Sequence, residues 1–192
     1  MTTAKVLRAL VIAISLCAAP GCLVLSLNPV YDDSTIAWEQ GLVGHWVDAD
    51  DNAMLNVERG EWRSYRVHYE HPIESGDLTG YLTIVGSDRF LDLMPVRGQD
   101  RGSFVIPVHA VLRMRLDGDR LELTPLSYDW FFDRVRVAKP PVRSIEGLDV
   151  SLDQKENALI TSPTDAIRRW VRLQPADGPM FGAAATFTRK PQ

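Results

Sequence analysis

The segment Phe104–Thr124, FVIPVHAVLRMRLDGDRLELT, contains the pattern that decides the fold. Every second residue from Phe104 to Leu116 is apolar, as in a β-strand with one buried face. The dipeptide Asp117-Gly118 favours a two-residue hairpin turn, because the central residues of such turns adopt positive φ. The pairs predicted through this turn are Met114–Leu121 and Leu112–Leu123 on the buried face, Arg113–Glu122 on the other face, and the like-charged Arg115–Arg120. Pro107 lacks an N–H for the ladder, so we expect a bulge or a sheet edge there.

Similar patterns predict further strands on both sides of this hairpin. In the segment Trp62–Glu70 the side chains alternate between two faces. One face carries Tyr65, Val67 and Tyr69, and the other carries Ser64, Arg66, His68 and Glu70. The remaining predicted strands are residues 42–47, 78–84, 90–94 and 183–189.

Two short helices are expected between the strands. The first covers Leu126–Val135 with Ser127 as its N-cap. The second follows Ser162 as N-cap and ends before Pro175. Its apolar side is Ala166, Ile167, Trp170 and Val171, and its water-facing side is Arg168, Arg169 and Arg172. The predicted fold class is therefore mainly β, an antiparallel barrel or strongly curved sheet with one or two short helices.

The N-terminus has the composition of an export signal. Basic residues precede a short apolar run, which Pro20 and Gly21 interrupt before it reaches the roughly 20 residues that span a membrane. The stretch Ala19-Pro20-Gly21-Cys22 resembles the lipobox of bacterial lipoproteins, and the resemblance implies acylation of Cys22. We expect a signal peptide over residues 1–21, a lipidated tether over 22–40 and a β-rich domain over 41–192. An ordinary cleaved signal is the alternative.

The composition limits the classes of function. The formal net charge is −4, with 21 basic and 25 acidic residues, so no basic footprint for nucleic acid is expected. The two cysteines, Cys17 and Cys22, both lie at or before the predicted lipidation site, which leaves none for a disulfide in the domain. The expected partner is a membrane, through the N-terminal lipid. Leu23 stands where Asp is associated with inner-membrane retention, which favours the outer membrane.

Few residues suggest catalysis or metal binding. The spacing His68-x-x-His71 resembles a metal motif, but side chains three apart in a strand point to opposite faces. Arg66, His68 and Glu70 share a face and suit proton transfer or anion binding if that face lines a cavity; a solvated polar face is the alternative. The sequence contains no G-x-S-x-G elbow and no Gly-rich phosphate loop. We predict no catalytic residue, metal or cofactor.

Aromatic side chains form the other candidate site. Trp62, Tyr65, Tyr69 and Tyr81 are predicted to line a barrel that holds a small apolar ligand. The alternative is a solid core, since small antiparallel barrels are either filled by side chains or hold one ligand.

Gly44-His45-Trp46 resembles the G-x-W motif of lipocalins. In that family the tryptophan closes one end of the barrel and an arginine near the chain's end covers it, a part that the resemblance assigns to Arg189. The arrangement from Leu23 to about Phe187 also resembles a group of uncharacterised bacterial lipoproteins, which implies no known activity. A helix at Leu126–Val135 departs from typical lipocalins.

These observations together predict a lipid-anchored envelope protein with a lipocalin-like barrel. Its expected function is non-catalytic binding of a small apolar ligand or an envelope partner. A structural or assembly protein with a solid barrel is the alternative. An enzyme that uses the Arg66, His68 and Glu70 face comes third.

Overall fold

The computed structural model describes residues 24–96, 107–137, 145–153, 156–175 and 177–191. The predicted signal peptide, Cys22 and the segment Phe104–Ile106 lie outside these residues. None of the helices described is long and apolar enough to cross a membrane.

In chain order the elements are β1 (Val24–Ser26), β2 (Ile36–Ala37), a 3-10 helix (Gln40–Leu42), β3 (Gly44–Asp48), β4 (Ala53–Arg59), β5 (Ser64–His71), β6 (Glu74–Val85), β7 (Asp88–Pro95), β8 (Ala110–Asp117), β9 (Arg120–Pro125), α1 (Tyr128–Val137), β10 (Val150–Leu152), β11 (Ala158–Ile160), α2 (Thr164–Arg172) and β12 (Ala185–Arg189).

Eight antiparallel strands form a closed barrel. Strands β3 to β9 pair in the order of the sequence, and β12 pairs with both β9 and β3, which closes the ring. The short β2 pairs with β6. The predicted fold class is confirmed: the chain is mainly β, with two helices, and its barrel is consistent with a lipocalin-like one.

The β8–β9 hairpin differs from the predicted register by two residues. The turn residues are Gly118 and Asp119, and Gly118 alone of the two has a positive φ, +55°. This geometry matches a hairpin turn with glycine at its first central position. The pairs are Asp117–Arg120, Leu116–Leu121, Arg115–Glu122, Met114–Leu123, Arg113–Thr124 and Leu112–Pro125. A shift of two keeps the same side chains on the buried face, and it replaces the pair of arginines with pairs of opposite charge.

Inward-facing side chains fill the barrel. The buried core consists of Leu42, Trp46, Ala53, Leu55, Val57, Tyr65, Val67, Leu82, Leu91, Leu93, Met114, Leu121, Leu123 and Phe187. Packing is tight at Gly80, where an added methyl group would lie 3.1 Å from Leu93 and 3.3 Å from Leu91. The predicted inward face of β5 is confirmed, since Tyr65 and Val67 are buried while Arg66 and His68 are exposed.

A second core lies outside the barrel. Strands β1, β11 and β10 form a three-stranded sheet, and this sheet and the two helices share one apolar cluster with outward-facing residues of β6, β7 and β8. Phe90 and Val111 are among its barrel residues. Strand β8 is therefore covered on both faces as far as Met114, and Arg115 is exposed. Arg113, predicted opposite Glu122 on the solvent side, is buried, and its guanidinium carbon lies 4.0 Å from the Phe181 ring centroid.

The helix predictions hold for position and differ in detail. Ser127 caps α1, because its Oγ accepts a hydrogen bond from Trp130 N at 3.4 Å. Ser162 does not cap α2; its Oγ accepts from Asp149 N at 2.7 Å instead, and α2 begins two residues later. Ile167, Trp170 and Val171 are buried as predicted.

Residues 24–37, which we call the N-terminal strap, pack against the barrel instead of belonging to a tether. β1 pairs with β11, and Ser26 forms an isolated bridge with His109 just before β8. Val24, Val30 and Ile36 are all buried. The packed domain therefore reaches back to Val24 and not only to residue 41, because these apolar side chains cover the outside of the barrel.

Candidate functional site

The closed end of the barrel is built around Trp46 and Arg189. The Arg189 guanidinium carbon lies 4.1 Å from the Trp46 ring centroid, and Trp46 Nε1 donates to Leu42 O at 2.9 Å. Arg189 also donates to Val43 O at 2.8 Å and to Gly41 O. Gly44 has φ +148°, and a Cβ there would collide with the Arg189 guanidinium. The G-x-W pattern thus marks a structural closure in which glycine leaves room for arginine.

The structure does not bring the four predicted lining residues together. Tyr65 is completely buried, its ring stacks on Trp38 with centroids 4.5 Å apart, and its hydroxyl accepts from Glu39 N at 2.7 Å. Burial raises the pKa of Tyr65 above its ordinary value. Tyr69 is half-buried inside the other end of the barrel. Tyr81 belongs to the outer face of β6, 4.4 Å from the ring of Tyr31, and Trp62 lies in the β4–β5 turn with 66% of its surface exposed.

Four clefts lined by described residues lie at the surface. A cleft of about 270 Å³ lies outside β3 and β4, and one of about 390 Å³ outside β4 to β6. A third, of about 260 Å³, lies at the barrel rim near Val24 and Pro125. The largest of these four, about 830 Å³, lies between α1 and α2. The centre of the barrel is occupied by the packed side chains described above.

The Arg66, His68 and Glu70 face is a solvated polar surface. His68 Nδ1 lies 2.8 Å from Asp77 Oδ1, and Arg66 lies 3.6 Å from Glu58; all four side chains are about half or more exposed. His71, on the opposite face as predicted, lies 3.5 Å from Asp51. The described residues contain no group of three or more His, Cys, Asp or Glu that suits a metal ion. This face has water access and exposed ion pairs, which stabilise little.

A buried polar cluster under the strap was missed by the sequence analysis. Asp92 is completely buried, with Oδ1 2.7 Å from His109 Nδ1, and Oδ2 accepts from Val30 N at 2.8 Å. The ring of Tyr31 lies 6.3 Å from that of His109. Burial, and next the Asp92 charge, raise the pKa of Tyr31. The cluster joins the strap to β7 and β8; Asp92 gave no signal in the sequence beyond standing in a predicted strand.

Arg168 is a second polar residue that holds the strap. It was predicted to face water, but only 13% of its side chain is exposed. It donates to Val30 O at 2.8 Å, to the hydroxyls of Thr35 and Thr83 at 3.2 Å each, and to Ile84 O at 3.3 Å. Helical periodicity did place Arg168 off the apolar side. The strap and β6 together supply the carbonyl and hydroxyl oxygens that make its burial favourable.

The groove between α1 and α2 is the candidate binding site. Arg134 extends from α1 with its guanidinium carbon 3.8 Å from the Trp130 ring centroid, and Trp170 of α2 lies 6.1 Å from Trp130. Leu173, just past α2, is 80% exposed, and Arg169 pairs with Asp165 at 2.8 Å. The other lining residues are Ile145, Glu146, Gly147, Asp149, Ser162, Pro163, Ala166 and Gln174.

One polar atom beside this groove stands out. Trp130 Nε1 is buried and has no hydrogen-bond partner among the described residues. A buried donor without an acceptor costs about 1 to 3 kcal/mol. The groove thus combines aromatic surface and two cationic side chains, and a buried donor with no acceptor among the described residues lies beside it.

Comparisons with known proteins give no relative from which a role can be transferred: no family model, no curated protein and no solved structure matches this chain.

Proposed function

We propose that this protein is a lipid-anchored bacterial envelope protein that binds a partner protein in the α1–α2 groove, without catalysis. In this proposal Cys22 carries the lipid, the outer membrane is the site of attachment, and the barrel is a solid scaffold of lipocalin-like type. The support for the scaffold type is the sequential eight-strand order and the Trp46–Arg189 closure.

The observation that carries the proposal is the lining of the groove. Tryptophan and arginine are, with tyrosine, the residues enriched in protein-binding hot spots. Here two tryptophans and two arginines surround a cleft of about 830 Å³, and Leu173 offers an exposed apolar edge. A fitting partner presents an apolar side chain to this edge and a carboxylate to Arg134.

The filled barrel is the reason for preferring a protein partner over an enclosed apolar ligand. Trp46, Tyr65 and Met114 occupy the interior, where a ligand would displace buried side chains. Enzymatic action at the Arg66, His68 and Glu70 face is not proposed, because these side chains surround no enclosed cleft.

Photocrosslinking in cells tests the groove. A photoreactive amino acid at Leu173 is expected to crosslink one envelope protein, and the added substitution Arg134→Glu is expected to abolish that product. Trp62 is the matched control, because it is 66% exposed but lies in the β4–β5 turn. Equal products at both positions, or a Leu173 product unaffected by Arg134→Glu, contradict the proposal.

Palmitate labelling tests the anchor separately. Cys22→Ala is expected to abolish incorporation, because the acyl chains attach to this thiol. Labelling that persists in this variant moves the lipidation site to Cys17.

A further inference from the structure

The strap holds the start of the described chain firmly on the domain. Val24 is buried and pairs with Ala158 of β11. Ser26 and His109 exchange two backbone hydrogen bonds of 2.8 Å each, and Asn28 Nδ2 donates to Ser162 O at 3.0 Å. The strap is therefore held on the domain from its first residue, Val24.

The proposed lipidation site is very close to this point. Only Leu23 separates Cys22 from Val24. Two residues span at most about 7 Å, so the Cα of Cys22 lies within about that distance of Val24. A lipid on Cys22 must then enter a bilayer next to the surface that surrounds Val24.

That surface is the rim of the barrel at the end away from Trp46. Val24 lines the rim cleft of about 260 Å³ together with the open end of the β8–β9 hairpin, opposite its turn, and with the first turn of α1. The residues of the hairpin end are Leu112 and Pro125, which pair with each other, and those of α1 are Tyr128 and Asp129. The turns at the closed end lie a strand length away, about 25 Å for eight residues.

We propose that the lipid bilayer packs against this rim, so that the closed end points away from the membrane. The inference rests on the proposed lipidation of Cys22. The exposed charges of α1 do not set the orientation, because Asp129 and Asp133 balance Arg134 and Arg136. The position of the anchor sets it, and neutral and anionic bilayers give the same orientation.

Fluorescence quenching in vesicles tests the orientation with the full, acylated chain. Asp129→Cys near the rim and Glu61→Cys in the β4–β5 turn each give one free thiol, since the only other cysteines are Cys17 and Cys22. Each is labelled with the same fluorophore in phosphatidylcholine vesicles that carry a nitroxide on the headgroup. Quenching at residue 129 is expected to exceed that at residue 61 by about twofold or more, because the two ends lie about 20 Å apart along the axis of a barrel with tilted strands.

A second pair, Asp133→Cys and Trp62→Cys, protects the test against a variant that fails to fold. Inserting a flexible Gly/Ser linker of about 12 residues between Leu23 and Val24 is expected to remove the difference, because the domain can then rotate freely. Equal quenching at the two positions with the natural spacing, or stronger quenching at residue 61, overturns the orientation. Absence of palmitate on the natural sequence instead overturns the anchor, and the orientation with it.

Discussion

At the residue scale, two of the Asp–His pairs among the described residues have nearly the same geometry and different surroundings. Asp92 and His109 are 2.7 Å apart, and both are buried under the strap. His68 and Asp77 are 2.8 Å apart on the outer face of the barrel, where both side chains are largely exposed. A buried carboxylate that loses its partner keeps the full cost of desolvation, whereas an exposed one is solvated by water.

Matched alanine substitutions separate these effects. His109→Ala is expected to lower the free energy of unfolding by about 3 to 5 kcal/mol, because it leaves Asp92 buried with one partner fewer. His68→Ala is expected to change it by no more than about 1 kcal/mol. Urea unfolding of both variants at neutral pH measures the difference. Equal losses would mean that burial does not govern the strength of these pairs.

Single residues also show what the sequence can and cannot predict. The contact of Trp46 with Arg189 was predictable, because Gly44-x-Trp46 and an arginine at the end of the last strand form a pattern. The pairing of Asp92 with His109 was not, because alternation assigns each residue to a face without revealing what covers that face. The same limit explains why the burial of Arg168 was not predicted. Its partners in the strap, Val30 and Thr35, lie 138 and 133 residues earlier in the chain.

At the scale of the elements, β8 is the strand whose environment differs most from its pattern. Alternation predicts one apolar and one solvated face, and the apolar face is correct, since Met114 is buried inside the barrel. The other face is covered by the second core over Val111 and Arg113 and becomes free only at Arg115. Solvent exposure along β8 thus depends on how far the outer layer extends, and the alternation of residues within the strand does not show this.

Adjacent positions of β8 provide a matched test of this boundary. Met114→Gln is expected to destabilise the fold by about 2 to 5 kcal/mol, because it places an amide in the packed barrel. Arg115→Gln is expected to change stability by about 0.5 kcal/mol or less, since this side chain is exposed. Thermal unfolding followed by circular dichroism compares the two variants. A similar loss for Arg115→Gln would show that the outer layer extends to the end of the strand.

At the scale of the whole molecule, the chain consists of a filled barrel and an outer layer that share β6, β7 and β8. The barrel was predictable because its strands alternate and most of them, from β3 to β7 and from β8 to β9, are joined by short turns. The outer layer was not, because it combines segments from distant parts of the chain: the strap, the small sheet and the two helices. The residues that line the α1–α2 groove belong to this layer. The sequence predicted apolar and basic positions on two helices, but it did not predict that they form a groove.

The strap makes a prediction about where the folded unit begins. A chain that starts at Val24 is expected to unfold in one cooperative transition, whereas a chain that starts at residue 41 is expected to lose most of its stability. The shorter chain exposes the surface under Val24, Val30 and Ile36, whose burial is worth about 1.5 to 3 kcal/mol each. It also removes the Val30 N–H from Asp92 and the acceptors of Arg168 at Val30 and Thr35. These losses approach the total stability of a domain, which is about 5 to 15 kcal/mol.

Thermal melts of the two chains, with intrinsic tryptophan fluorescence as a second probe, measure the effect. Equal midpoints would show that residues 24–40 contribute nothing to the fold and serve as the tether that the sequence predicted.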